Sequence, residues 1–231
     1  MHSNEANPNT LRYVNARDDA GLRVLAKATL STLEQRQQTL SGYLAQTEKE
    51  ELKVSERVKK LWKEKLDALN VVLVVISDAE KAESELDEKA RANRTAFFKT
   101  AKQAWETNLG GKLLELSKEM VGPYTLGNHD DLFLCNKQLT FYPGDQFSIA
   151  DLHLAGWLTR VAHLCGGEAI DDGKTIVKKI EEHVGGGLKI PRDFLTRRED
   201  AKAEKESKLG AFWDAIRDRP SWRKIYGEGL Y

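Results

Sequence analysis

The sequence predicts an all-α fold, on three observations. Apolar residues recur every three or four positions through most of the 231 residues, which is the spacing of one face of an α-helix. Serine or aspartate precedes several of these stripes, as expected at helix starts, and glycines follow them, as expected at helix ends. One further stretch, residues 148–165, is apolar enough to be a central helix buried in a bundle.

Two long stripes come first. The first begins after Asp18 or Asp19, either of which can cap a helix, and the second covers residues 54–76. Residues 71–76 are rich in β-branched side chains and would suit a strand by composition alone. Their apolar phase continues that of the preceding turns, so we predict a helix. The first stripe consists of Leu22, Leu25, Thr29, Leu33, Leu40 and Leu44.

A third stripe spans residues 86–109. Ser77 and Glu80 have the spacing of a capping box for its start, and Gly110-Gly111 predicts its end. Residues 121–147 contain three glycines and two prolines, a composition typical of a loop.

The central helix carries the most specific local signal. Ser148 suits its N-cap, and Asp151 can return a hydrogen bond to the backbone of the cap. Phe147 and Leu152 have the spacing of a hydrophobic staple. Apolar residues then occupy every face as far as Cys165, so we expect a helix buried on all sides and closed by Gly166-Gly167.

The remaining pattern predicts two more helices. One holds Ile176, Val177, Ile180 and Val184 and ends at the glycines 185–187. Residues 196–208 are almost entirely charged, which suits either an exposed helical lead-in or a mobile segment. The last helix runs from there to about Arg217.

Charge and cysteine content bound the function classes. Lysine plus arginine and aspartate plus glutamate both number 36, so no long-range field favours nucleic acid or an anionic membrane. A basic cluster is interleaved with Glu56 and Glu64, which is typical of a solvated helix face; it comprises Arg57, Lys59, Lys60, Lys63 and Lys65. Cys135 and Cys165 make no disulfide framework, which favours a reducing, cytoplasmic setting. The longest apolar run, residues 71–76, is too short for a membrane span.

Familiar catalytic and metal patterns do not emerge from the sequence. The five histidines lack metal-ligand spacing, and His163 and Cys165 point to different faces of a helix. His153, near the start of the central helix, is better explained as a packing residue than as an acid or base. No nucleophile elbow, phosphate loop or dinucleotide glycine pattern occurs. We therefore assign no catalytic, cofactor or metal residue.

Residues 148–152, Ser-Ile-Ala-Asp-Leu, resemble the capping box and staple of the sixth helix in the C-terminal domain of cytosolic glutathione transferases. Residues 122–127 are similar to the loop before that box. Residues 209–216 and the sequence Arg219-Pro220-Ser221-Trp222 resemble the closing helix and its turn. Residues 7–11 are similar to the interdomain linker of fungal members. The resemblance implies a tail of residues 1–18 and a helical domain of residues 19–231.

In that family, glutathione binds a thioredoxin-like domain that precedes the helical one. Only about 18 residues precede the first stripe here, so the resemblance implies a bundle without a glutathione site. Glutathione would serve as a cofactor only if a thioredoxin-like domain were supplied. The face that packs on such a domain should then be apolar and exposed, and a second copy or another protein would cover it.

The resemblance also suggests residues for a substrate pocket. The equivalent helices line the acceptor pocket in the family, and Arg36, Tyr43 and Trp105 lie on the matching stripes. The alternative is that Arg36 extends to solvent and that both aromatic side chains belong to an ordinary core.

Two functions remain open. One is a transferase-like domain that binds a small hydrophobic ligand but does not conjugate glutathione alone. The other is a protein-interaction module, of the type found in translation elongation factor and synthetase complexes. The long charged helices of residues 50–68 and 78–94 would suit the second role, although ordinary solvation explains their charge equally well.

Overall fold

The computed structural model describes residues 6–120, 148–196 and 204–230. It is mostly helical, which confirms the all-α class. The α-helices are α1 (Pro8–Leu11), α2 (Asp19–Glu48), α3 (Glu56–Ser77), α4 (Glu88–Lys102), α5 (Gly110–Glu119), α6 (Ile149–Leu164), α7 (Gly173–Val184), α8 (Lys208–Arg217) and α9 (Pro220–Tyr226). Short 3-10 helices cover Arg12–Val14 and Glu83–Glu85, and a π-helix covers Gln103–Leu109.

The chain divides into two compact units. One is Asn9–Ala104, which holds α2, α3 and α4. The other combines Met1–Pro8 with Trp105–Tyr231 and holds α5 to α9. The expected boundary between a tail of residues 1–18 and a domain of residues 19–231 stays a prediction, but residues 8–14 form helical turns where we expected no element.

In the first unit, α2 and α3 are antiparallel and enclose the core with α4. Of the two caps that the sequence allowed, Asp18 is the N-cap of α2 and accepts a 2.7 Å hydrogen bond from the Gly21 nitrogen, while Asp19 lies in the first turn. Residues 71–76 are helical. The prediction made from the spacing of their apolar residues is therefore confirmed, and the strand that their β-branched composition would suit does not form. The core consists of Ala16, Leu22, Leu25, Ala26, Leu33, Leu73, Val75, Ile76, Ala79 and Phe97.

Both predicted ends of the third helix are wrong. Helix α4 begins at Glu88, where Asp87 is the cap and accepts a 2.7 Å hydrogen bond from the Ala90 nitrogen. Ser77 instead ends α3. Gly110 does not stop a helix but begins α5, directly after the π-helix. A Cβ on Gly110 would make an ordinary van der Waals contact, 3.5 Å from a Val184 methyl group, so Gly110 lies within the helical path at a packed site.

In the second unit, two predicted helix ends are confirmed. Gly166 follows α6 with a φ of 75°, and Gly185 follows α7 with the same φ, so both positions favour glycine. The Gly167 nitrogen donates a 2.8 Å hydrogen bond to the Ala162 carbonyl, which satisfies a carbonyl at the end of α6.

The expectation that α6 is buried on all sides is wrong. Leu154, Leu158 and Val161 are buried, but Leu152 is 62% exposed. His153, Arg160 and His163 also face solvent. Their spacing of seven and three residues places them on one side of the helix, and this polar stripe was already visible in the sequence.

The charged segment before α8 is not a helical lead-in where the structure describes it. Strand β1 (Phe194–Thr196) pairs antiparallel with β2 (Glu204–Glu206), with Leu195 opposite Lys205. Ser207 then caps α8 through a 3.0 Å hydrogen bond from the Gly210 nitrogen. Residues 197–203 and the predicted loop of residues 121–147 lie outside the described residues.

Candidate functional site

Among the helices that the structure describes, α2 and α3 are the longest, with 30 and 22 residues, and the hairpin they form is the starting point for a candidate site. Ser55 caps α3, and Glu50 adopts a φ of 57° in the turn between the helices. Two contacts fix the register. The Gln37 amide donates a 2.7 Å hydrogen bond to Asn70, and the rings of Tyr43 and Trp62 lie 5.1 Å apart.

Burial changes along the seam between these helices. At the end of the hairpin away from the turn, Leu22, Leu33 and Ile76 are fully buried. Toward the turn, the apolar seam residues are only half-buried; these are Leu40, Leu44, Val58, Trp62 and Leu66. Two helices alone cannot enclose the seam between them, so the outer part of the hairpin leaves apolar surface accessible to another molecule.

One side of this outer hairpin carries a defined set of residues, the distal flank: Arg36, Tyr43, Arg57, Leu61 and Lys65. Each precedes a seam residue by one position along its helix. In an antiparallel pair, residues displaced in the same direction from the seam share one side of the hairpin. Tyr43 is 42% exposed and Leu61 is 46% exposed.

In the part of the chain that the structure describes, no acidic side chain neutralises the cations of the distal flank. Lys59 and Lys60, which point elsewhere on α3, form intrahelical ion pairs with Glu56 and Glu64 at 2.9 and 3.9 Å. Within the described part of the chain, neither Arg57 nor Lys65 has an acidic partner. The Arg36 guanidinium donates a hydrogen bond to the Tyr13 hydroxyl and lies 5.7 Å from that ring, so its neighbour is neutral.

The three residues predicted for a ligand pocket have different surroundings. Arg36 and Tyr43 lie two turns apart on α2 and are exposed, with Tyr13 and Trp62 as their respective neighbours. Trp105 belongs to the other compact unit and is 0% exposed. Its ring meets the His183 ring at 4.7 Å, edge to face. The role of all three in ligand binding stays a prediction.

The predicted cap of α6 is confirmed in its polar half. The Ser148 nitrogen donates a 2.8 Å hydrogen bond to the Asp151 carboxylate, and the Asp151 nitrogen donates one of 3.2 Å to the Ser148 hydroxyl. Asp151 is buried although it is charged. Phe147 lies outside the described residues, and Leu152 is exposed, so the staple stays a prediction.

A second surface feature, which the sequence did not predict, is a groove at α9 of about 350 Å³. Its apolar wall is Ile170, which is 81% exposed, and its aromatic floor is Trp222 and Tyr226, with ring centroids 4.4 Å apart. Arg217 at its edge donates to the Ile170 carbonyl at 3.3 Å and pairs with Asp214. These contacts occupy Arg217 within the fold.

Glu181 is a buried carboxylate in the second unit. It accepts hydrogen bonds of 2.7 Å from the Ile190 nitrogen and from the Arg192 guanidinium. Burial alone would raise the pKa of Glu181, but the bonds from Arg192 and Ile190, with the charges of Arg192 and Lys189, hold that pKa below its ordinary value. Glu181 therefore anchors the segment that follows α7.

Two further ionic groups, one buried and one partly buried, also serve packing. Arg94 is nine-tenths buried and reaches Asp19 at 3.0 Å and the carbonyl of Lys81 at 3.1 Å. Burial raises the pKa of Asp214, which accepts a 2.9 Å hydrogen bond from the Gly173 nitrogen. Both groups connect helices and have partners within their own unit.

Within the ranges that the structure describes, no cluster of three or more histidine, cysteine or acidic side chains is arranged to hold a metal ion. Among the same residues, none of the helices combines the length and the apolar character that crossing a bilayer requires.

No protein-family model, curated protein or solved structure matches this chain.

Proposed function

We propose that this chain is a protein-interaction module that binds its partner through the α2–α3 hairpin. The observation that carries the proposal is the distal flank itself. An exposed leucine and an exposed tyrosine lie beside a half-buried apolar seam, with Arg57 and Lys65 on either side of Leu61. Apolar anchors with a charged rim are the usual composition of a transient protein interface.

The geometry of the hairpin supports this use. Helix α3 presents Arg57, Leu61 and Lys65 at intervals of four residues, so they form one line about 12 Å long. The Tyr43 ring, held against Trp62, lies on the neighbouring helix on the same side. A surface on two packed helices is rigid, which lowers the entropic cost of binding.

The test compares three forms of the full chain as bait in cell extract after chemical cross-linking: wild type, Leu61→Lys and Ile225→Lys. Ile225 is the matched control, because it is an exposed apolar residue on α9. We expect wild type and Ile225→Lys to recover the same proteins and Leu61→Lys to lose them. Equal recovery by all three baits would refute the proposal.

A second candidate is the small-molecule binding of a glutathione-transferase-like helical domain. Two features favour it. The reciprocal Ser148–Asp151 hydrogen bonds occur where the resemblance expects them. Trp222 of the Arg-Pro-Ser-Trp sequence is buried against Trp213 of the closing helix, at 5.2 Å. On this proposal the bundle binds a hydrophobic ligand and does not conjugate glutathione alone.

The second candidate has its own test. The purified chain is passed over immobilised glutathione and then assayed for conjugation of glutathione to an electrophilic aromatic substrate. We expect neither retention nor conjugation, together with saturable binding of a hydrophobic dye. Conjugation by the isolated chain would contradict this proposal, and so would the absence of any saturable dye binding.

A further inference from the structure

We infer that the distal flank binds an acidic amphipathic helix of a partner protein. This inference rests on the proposed function and specifies the chemistry of the partner. The binding mode is a helix laid along a helical hairpin, with apolar side chains at the centre of the contact and charges at its edges.

Charge is the first argument. The whole chain carries 36 basic and 36 acidic residues, and residues 48–67 carry seven basic and six acidic ones, but the three charged residues of the distal flank are all basic. On the same helix, Glu56 and Glu64 are paired with Lys59 and Lys60. Arg57 and Lys65 take no part in these pairs, so they give the distal flank its positive charge.

The placement of the cations relative to apolar surface is the second argument. Leu61 lies between Arg57 and Lys65 on α3, one turn from each. On α2, Arg36 lies two turns before Tyr43. The flank thus has an apolar centre, Tyr43 and Leu61, and cations at both ends. A helix with one apolar stripe flanked by glutamate or aspartate matches both features.

The size of the distal flank determines the range of dissociation constants that we expect. About three turns of helix cover its length, and such a contact is smaller than the interfaces of stable complexes. We expect dissociation constants in the micromolar range, on the order of 10 μM, and strong dependence on salt, because exposed charges are screened within about 10 Å at 0.1 M.

The experiment uses the full chain and synthetic helical peptides of 18 residues. The acidic peptide has leucines at intervals of three and four residues with glutamates on both flanks, and its counterpart has lysines instead. Binding is followed by fluorescence anisotropy at low and at high salt. We expect the acidic peptide to bind at least about tenfold more tightly than the lysine peptide, and its affinity to fall at high salt.

Four variants locate the contact. We expect the double variant Arg57→Glu, Lys65→Glu to weaken binding of the acidic peptide at least about tenfold, because it replaces attraction by repulsion. The control is Lys60→Glu, Lys63→Glu, with the same charge change on other sides of α3, and its affinity for the acidic peptide should stay within about threefold of wild type.

Leu61→Lys should also weaken binding about tenfold. Its control is Val71→Lys, another exposed position of α3.

Several outcomes would overturn the inference. One is equal binding of the acidic and the lysine peptides; another is loss of binding in the control variants alone. A third is a result in which the chain binds a 20-nucleotide single strand of nucleic acid tightly but does not bind the acidic peptide, and in which the Arg57→Glu, Lys65→Glu variant loses the nucleic-acid binding. Self-association of the chain that Leu61→Lys abolishes, again without peptide binding, would assign the flank to a second copy. If the acidic peptide fails while cross-linked partners still depend on Leu61, only this inference fails and the proposed function stands.

Discussion

Ser148 and Asp151 satisfy each other's polar groups at the start of α6, which makes this cap a measurable contribution to stability. The Ser148→Ala variant removes the hydroxyl that accepts from the Asp151 nitrogen at 3.2 Å. We expect the free energy of unfolding to fall by about 1 kcal/mol, the usual value for a lost N-cap. Urea denaturation measures it. Ser221→Ala, at an exposed serine of α9, should change stability by less than half as much.

The buried carboxylate of Glu181 gives a stability that depends on pH. Its pKa is lowered in the folded state from the ordinary 4.5. A lowered carboxyl pKa contributes stability above the unfolded-state pKa, and this contribution is lost as the pH falls through the folded-state pKa. We expect Glu181→Gln to lower the free energy of unfolding at pH 7 by on the order of 1–3 kcal/mol, since Arg192 and the Ile190 nitrogen lose a charged acceptor.

The same comparison at acidic pH tests the cause. The difference between wild type and Glu181→Gln should shrink as the pH falls through the lowered folded-state pKa of Glu181, where the wild-type carboxyl also becomes neutral. Glu182→Gln is the matched control. Glu182 is exposed, and its ion pair with Lys178, at 3.8 Å, is a surface i,i+4 contact. Stability curves of wild type and Glu181→Gln that run parallel from pH 7 to pH 3 would contradict the assignment.

Helices α7 and α8 meet at two glycines, and this crossing tolerates no side chain. A Cβ on Gly173 would lie 2.1 Å from the Gly210 carbonyl oxygen. Backbone cannot move aside without shifting a whole helix, so we expect Gly173→Ala to destabilise the fold by about 3 kcal/mol. Gly42→Ala on α2 is the control, with no atom within 4 Å of the added Cβ. It should stabilise by about 0.5–1 kcal/mol through helix propensity. Thermal melts that shift in the same direction for both variants would refute this reasoning.

The element scale also shows what the sequence can and cannot predict. Ser148 and Gly185 were predicted correctly, and Asp18 was one of two candidate caps, because caps and stops depend on neighbours within four residues. Gly110 was predicted to end a helix, but it begins α5 and packs beside Val184, which is 74 positions away in the chain. No local pattern reports such a neighbour.

The candidate site was predictable in part for a similar reason. Arg36 and Tyr43 follow from the α2 stripe, and the basic cluster was visible as a run of charge. What the sequence does not show is that the apolar seam of α2 and α3 changes from buried to half-buried along its length. Leu61 looks like an ordinary core position on its helix, and only the tertiary packing leaves it exposed.

At the scale of the whole molecule, each compact unit contains large buried side chains of its own. Leu22, Leu33, Leu73 and Ile76 belong to the core of Asn9–Ala104. The large buried side chains Trp105, Phe212 and Trp213 belong to the other unit. We expect the removal of a core side chain to promote local opening of the unit that contains it.

The variant Leu33→Ala tests this expectation. Leu33 is fully buried, and removing its side chain should destabilise its unit by about 2–5 kcal/mol. Hydrogen exchange measured by mass spectrometry should then accelerate in peptides from α2, α3 and α4, while peptides from α6, α7 and α8 keep the wild-type rates. Leu158→Ala in α6 is the reciprocal control and should produce the opposite distribution. If either substitution accelerates exchange equally in peptides from every helix, opening is not confined to one unit and the expectation is wrong.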